Sequence, residues 1–447
     1  MQTVTKNTTS VFFQYALPSV LGMLAISSAT VVDGFFVGNY VGASAIAAVN
    51  FTMPIFALLF GLALMLGIGS SVVSGKLLAE GKYNLASEMF SKTLIIVTLL
   101  SLLMATIIYF SYDVVLTAFG AENNLHRDSA TYILTFLPFI PFLMIGLVLD
   151  YFVKVDSRPG LAFGALFLSA SVNVLLDWFL IVYLKQGLVG AAIATGISQL
   201  VLIVVLLPHF FSPAATIKFI KPKGSWSKCL KSASNGASEF VNEASVGITA
   251  LIFNYIMLQS FGVDGVAAYA VVSYLIWFSI MVSFGISDSL QPLISKNFGA
   301  KRPDRIKDFI RNAIISVLVI GIILSAITIS SPEVLADFFL ESKDITTIEM
   351  VLNFAAVIWP LFIISGINLV ISAYFTAIHK PLPSIIIALA RSLLFPILFI
   401  YLLPHFFGSI GIYLALPIAE LFTMFIAITL YYRLPPDKVI PLTKMEL

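Results

Sequence analysis

Apolar stretches long enough to cross a bilayer recur along the whole of this chain, and no other feature constrains its fold as much. In lipid every backbone N–H and C=O needs a partner within the protein, so a spanning segment is a helix or a strand of a closed barrel. A helix crosses with about twenty mostly apolar residues, whereas barrel strands alternate apolar and polar side chains. The stretches here are long and unbroken, which predicts an all-α polytopic membrane protein. Twelve transmembrane helices are expected, near 11–38, 48–75, 92–118, 129–152, 160–184, 188–208, 230–260, 265–292, 308–330, 350–376, 382–404 and 409–432. The first is too long for a signal-peptide core and carries Asp33, so it reads as a retained span. Charged residues make up only 11% of the chain, against about a quarter in a soluble domain.

The loops test that count. All 25 Lys and Arg except Arg127, Lys185, Lys343 and Arg391 fall on one side of a twelve-helix threading. Cytoplasmic loops collect positive charge, so both termini are expected in the cytoplasm. A missed or extra helix before the middle would scramble the split.

The chain also repeats. Gly42, Ala47 and Ala48 answer to Gly262, Ala267 and Ala268, and Gly67 to Gly285. Gly81-Lys82 resembles Gly299 and Lys301, Pro141 answers to Pro360, Arg158-Pro159 to Lys380-Pro381, and Gly187-Leu-Val-Gly190 to Gly408-Ser-Ile-Gly411. Each pair is separated by about 220 residues, as expected of the parallel internal repeats found in secondary transporters. The expected lobes are 1–215, with helices 1–6, and 216–447, with helices 7–12. They are pseudo-symmetric, and the basic stretch 209–231, with Pro213 and Pro222, links them.

Polar side chains inside the spans then stand out, because an ionisable group at the bilayer centre costs from about 3 to more than 10 kcal/mol. Asn173 and Asp177 are four apart and share one face of helix 5. Asp33 on helix 1 and Thr195 on helix 6 lie at a similar depth, roughly 8–15 Å below the outer surface at 1.5 Å per residue. Four oxygen-bearing side chains would thus converge on one cation or share protons, since two close carboxylates cannot both ionise cheaply. Na+ at Asp33, Asn173, Asp177 and Thr195 is one possibility and H+ the other; four oxygens suit either. Pro18 removes a backbone hydrogen bond from the middle of helix 1 and would act as a hinge below Asp33. The second half does not repeat this set: Asp33 aligns near Phe253 and Asp177 near Pro396. Its own embedded charges are Glu239, Glu243, Asp288, Arg391 and Glu420, which are secondary sites for substrate or ion. Arg391 is expected to pair with Glu420 or Glu243.

Several functions are argued against. A net charge of +2 gives nucleic acid no footing. The single Cys229 allows no internal disulfide, and the four histidines lack metal-ligand spacing. No catalytic triad or phosphate loop lies in a cytoplasmic stretch, so neither an enzyme nor an ATPase is expected and no cofactor beyond a coupling ion. The 38 Phe, 16 Tyr and 12 Met would line an adaptable cavity for flat, lipophilic cations. Membrane lipid is the other partner, and no soluble domain calls for an oligomer, so a monomer is expected.

Pro18 followed by Asp33-Gly-Phe-Phe-Val-Gly38, Gly42 and Ala47-Ala48 resembles helix 1 and the next loop of the multidrug and toxic compound extrusion (MATE) family. Asn173-x-x-x-Asp177 and Gly190-Ala-Ala-Ile-Ala-Thr195 resemble its helices 5 and 6. Gln291-Pro292 with Asn297-Phe-Gly299 resembles the exit of helix 8 in the family's MepA-like bacterial members. The resemblance covers essentially the whole chain. It implies an antiporter of the bacterial inner membrane that expels organic cations in exchange for H+ or Na+, a multidrug efflux activity. It also implies that Asp33, Asn173, Asp177 and Thr195 form the cation site and Pro18 the bending point. One branch of the family carries a further acid on helix 10, and this chain has none between Val351 and Ile378. A flippase for lipid-linked precursors shares the superfamily and is the alternative, but it would be expected to line its cavity with several cations.

Overall fold

The computed structural model describes residues 6–330 and 345–440, and among them there are helices and loops only. Twelve helices are long and apolar enough to span a membrane. They are α1 Thr8–Tyr40, α2 Ala43–Ala79, α3 Tyr83–Ala118, α4 Asn123–Val155, α5 Pro159–Tyr183, α6 Gly187–Phe211, α7 Ser227–Gly262, α8 Asp264–Gly299, α9 Pro303–Ser330, α10 Ile345–Ala377, α11 Pro381–Phe407 and α12 Ser409–Arg433. The helices mostly begin and end beyond the expected spans, because helical hydrogen bonding continues past the apolar stretch. Apolar side chains cover all sides of these helices, as lipid-facing helices require; Phe110, Leu175 and Tyr432 are exposed.

The helices pack as two compact units, Leu21–Glu243 and Met1–Val20 with Ala244–Leu447. The division falls after Glu243, inside α7, whereas the basic loop suggested one near 215. In the first unit α2 packs on α3 and α4, α4 on α6, and α6 on α5. Its core includes Phe90, Phe136, Phe152 and Phe210, with Phe90 and Phe210 stacked at 4.2 Å. In the second, α10 packs on α9, α11 and α12 around Phe354 and Tyr413, whose rings lie 4.7 Å apart.

The internal repeat is written in the backbone. Positive φ recurs at Gly42 and Gly262, Gly81 and Lys301, Ser157 and His379, and Gly187 and Gly408. At four of these a helix closes with an N–H bonding back five residues, the Schellman pattern: Lys82 to Leu77, Arg302 to Asn297, Arg158 to Val153 and Lys380 to Phe375, at 2.9–3.1 Å. Thus α2 ends as α8 does and α4 as α10 does. The counterpart of Gly81 is Lys301, two positions beyond Gly299. A left-handed turn is needed there, and a non-glycine residue tolerates it at a cost of about 1–2 kcal/mol.

The stretch between α6 and α7 is not a loose tether. Asp156, at the end of α4, pairs with His209 Nε2 at 2.7 Å and accepts the N–H groups of Thr216 and Ile217 at 3.1–3.2 Å. Ser87 and Ser91 of α3 accept the N–H groups of Lys218 and Ile220, Glu88 accepts that of Lys223, and Lys92 donates to the Lys223 and Ser225 carbonyls. The strap leads into the first turn of α7, where Cys229 is 1% exposed beside Thr93. Hydrogen bonds to a charged partner contribute about 1.5–3 kcal/mol each. Asp156→Ala is therefore expected to free the strap and raise maleimide labelling of Cys229 at least about tenfold. Labelling as slow as in the parent protein would show that the strap does not guard this turn.

Candidate functional site

The predicted oxygen cluster lies wholly within the unit Leu21–Glu243. Asp33 is on the second half of α1, and Asn173 and Asp177 share a buried face of α5, 7% and 0% exposed. Just after Asp177 the helix widens into a π segment, Trp178–Tyr183. Such widened turns are frequent at functional sites. Asp33 and Asp177 lie within electrostatic reach of each other. Thr195 of α6 stands beside the hydroxyl of Tyr132 on α4, and Tyr132 also feels both carboxylates. The structure thus gathers Asp33, Asp177 and Thr195 around Tyr132, with Asn173 one turn deeper on the face of Asp177.

Sequence reasoning missed Tyr132. It lies nine residues from the start of α4, about 14 Å along the helix, within the depth window set for the other four. The expected span beginning at 129 places it only about 4.5 Å deep, so depth gives no signal for it.

Asp33 Oδ1, Asn173 Nδ2, both carboxylate oxygens of Asp177 and Thr195 Oγ1 are buried without a hydrogen-bond partner. Buried polar atoms are normally satisfied, and an unsatisfied one costs about 1–3 kcal/mol, more when charged. Four oxygens and one amide nitrogen in this region are thus left with hydrogen-bonding capacity that the protein does not fill. The carboxylate and hydroxyl oxygens suit a proton or a hard monovalent cation, whereas Asn173 Nδ2 is a donor that an acceptor would satisfy. No group of three or more His, Cys, Asp or Glu gathers among the described residues, so the set carries at most two negative charges. Beside it, α1 and α5 frame a groove of about 600 Å³, lined by Leu21, Ala25, Ser28, Val32, Phe163 and Phe167. Asp33, Asn173, Asp177 and Thr195 are not among its lining residues.

Pro18 is accommodated inside a continuous α1, two residues before the helix passes from one compact unit to the other after Val20. The other embedded charges are not brought to this cluster. Arg391 Nε meets Glu420 Oε1 at 2.8 Å, and Asn368 Nδ2 donates to Glu420 Oε2 at 2.7 Å. Of the two partners expected for Arg391 the structure selects Glu420. Glu239 and Glu243, on α7, fall in the compact unit Leu21–Glu243. Glu243 lies against α2 where Gly61 leaves room for it. Asp288 is 1% exposed on the C-terminal part of α8.

The profile of the MatE family matches residues 18–179 and 243–402. The multidrug export protein MepA of Staphylococcus haemolyticus is 24% identical over 423 residues, covering 94% of this chain and 92% of MepA. MepA of Staphylococcus aureus strain MSSA476 is 25% identical over 426 residues, with the same coverage. Among solved structures, a MOP superfamily transporter from Pyrococcus furiosus superposes with a TM-score of 0.91 at 20% identity over 98% of both chains. A mutant of the Vibrio cholerae MATE transporter VcmN does so at 0.88 and 22% identity, covering 95% of this chain and 96% of VcmN.

Proposed function

The chain belongs to the MatE family, and from that membership we propose that it is a secondary multidrug exporter of the bacterial plasma membrane, expelling lipophilic, mostly cationic compounds in exchange for H+ or Na+. It is a transporter and not an enzyme, working as a monomer in lipid with both termini in the cytoplasm. The observation that carries the exchange reading is the cluster of unpartnered buried atoms at Asp33, Asn173, Asp177 and Thr195. An external cation enters there and neutralises the acids. The neutralised pair no longer holds a cationic drug, and α1 repacks around Pro18. Exchange requires that ion and drug favour different states, because equal affinity shifts nothing. The apolar groove between α1 and α5 takes the body of the drug.

The alternative of a lipid-linked precursor flippase loses its main support. Such a cavity would hold pyrophosphate with several cations, and Arg391 is already neutralised by Glu420.

The testing experiment is efflux of ethidium-like cations from proteoliposomes, with a pH gradient or a Na+ gradient imposed alone. Concentrative movement under one gradient and not the other is the expected result, and it names the coupling ion. Passive equilibration of every compound under both gradients would overturn the exchange reading.

A further inference from the structure

The strap and the first turn of α7 carry five lysines, Lys218, Lys221, Lys223, Lys228 and Lys231, and no acidic residue lies between His209 and Ser238. All five are exposed. Hydrogen bonds gather them over one short stretch of α3. Lys218 N–H donates to Ser87 Oγ at 3.1 Å, Ile220 N–H to Ser91 Oγ at 2.9 Å and Lys223 N–H to Glu88 at 2.8 Å, and the Cys229 thiol lies 3.5 Å from the Thr93 hydroxyl. From Ser87 to Thr93 is only about 9 Å of helix. In the turn that begins at Ser227, Cys229 and Ser232 are buried, while Lys228 and Lys231, three apart, share the open face.

The acids around the strap are already engaged. Glu88 accepts the Lys223 N–H and lies 3.8 Å from Lys92 Nζ, Asp156 holds His209 and the N–H groups of Thr216 and Ile217, and Glu80 pairs with Lys82 at 2.7 Å. None of the five strap lysines forms an ion pair among the described residues. Apolar side chains stand open beside these charges: Phe219 is 40% exposed, Trp226 41% and Leu230 60%. The strap joins the end of one spanning helix to the start of the next, so these groups lie at the edge of the bilayer. Tryptophan is enriched at that level, with its ring against lipid.

We propose that the strap is a binding site for the headgroups of anionic phospholipids, whose phosphates meet the exposed lysines while Phe219, Trp226 and Leu230 enter the acyl boundary. A cluster of four to eight basic residues next to a spanning helix attracts acidic lipid. Free phosphate carries the same charge but has nothing to offer the apolar side chains. The strap's backbone is already held by α3, so binding does not have to order a loop. Asp156, which holds the strap, lies roughly 36 Å along α4 from Tyr132. The site is therefore separate from the Asp33–Asp177 cluster and does not rest on the exchange reading.

The test is thermal unfolding of the purified full chain in a neutral detergent, with added phosphatidylglycerol, phosphatidylcholine or glycerol phosphate. Ligand binding to the folded state raises Tm with ligand concentration. The expected result is a rise in Tm with phosphatidylglycerol that the other two do not give. A lysine near an anionic surface contributes about fivefold in affinity, so Lys221→Gln/Lys223→Gln/Lys228→Gln moves the midpoint at least about tenfold higher in phosphatidylglycerol. Its Tm without lipid should match the parent's, because the bonds that hold the strap come from backbone N–H and C=O groups. Lys221→Arg/Lys223→Arg/Lys228→Arg keeps the parent midpoint. Lys301→Gln/Lys380→Gln/Lys438→Gln removes the same charge from exposed positions of the other compact unit and leaves the midpoint in place. Equal stabilisation by phosphatidylcholine or by glycerol phosphate overturns the lipid site. So does a midpoint moved alike by both glutamine triples, or by neither.

Discussion

Asp33→Asn abolishes concentrative export while leaving the protein in the membrane at normal abundance. Asparagine keeps the size and a hydrogen-bonding oxygen of the aspartate but cannot take up or release a charge. In the proposed exchange, the free energy of the ion gradient enters only through the difference in how two conformations hold the cation. Moving such an equilibrium from 1:99 to 99:1 takes about 5.5 kcal/mol of differential binding. A site that has lost a carboxylate cannot supply it. The remaining Asp177 carboxylate still holds a cationic drug, which crosses down its own gradient, so the accumulation ratio in proteoliposomes falls to about one while drug–drug exchange persists. Asp177→Asn is expected to behave the same way, since both its oxygens are buried without partners. Thr195→Val should cost less, because it removes one neutral ligand. Surface expression and melting temperature, measured alongside, separate this loss from misfolding. Near-normal gradient-driven export in Asp33→Asn would sink the role assigned to the acid.

That prediction uses residues legible in the sequence, and the reason is physical. Lipid penalises charge so heavily that Asp33 and Asp177 announce themselves in an apolar run. The same penalty makes spanning helices legible, and all twelve stand where apolar length placed them. Tyr132 carries no such penalty. A tyrosine in an apolar helix is unremarkable in composition, so its place among the acids appears only when α4 packs against α6. The division of the chain was obscured for a related reason. Proline and positive charge mark where the chain leaves the membrane, near 209–231, but packing continues across that loop because Asp156, Ser87, Ser91 and Lys92 hold it down. The chain passes between units within α1 and α7 instead, where composition does not change. The buried pair of Asp150 and Lys154, 2.6 Å apart, went unread: Asp150 lies near the end of the expected span 129–152 and Lys154 just past it, so neither stood out as an embedded charge.

Arg391→Leu is expected to lower stability by about 3–5 kcal/mol, the usual cost of stranding one partner of a buried ion pair. Both side chains are 7% exposed, and the bond joins Arg391, in the π segment Ala390–Leu394 of α11, to Glu420 on α12. Leucine at 391 leaves the Glu420 carboxylate with only the Asn368 amide on its other oxygen. Glu420→Leu strands the guanidinium instead and should cost a similar amount. The double variant Arg391→Leu/Glu420→Leu removes both charges together, and replacing a buried pair with apolar groups is often neutral or stabilising by about 1–4 kcal/mol. Melting curves of the two single variants and the double variant in detergent give the coupling directly. A double variant that recovers most of the lost stability and still exports drug identifies the pair as structural, neutralised so that α11 and α12 can pack. A double variant that is stable but inactive would mean that the pair meets substrate or ion during the cycle. Because each charge spends its Coulomb energy on the other, the structural outcome follows from the same argument that assigns function to Asp33 and Asp177. In a membrane a satisfied charge holds the fold together, and an unsatisfied one awaits a ligand.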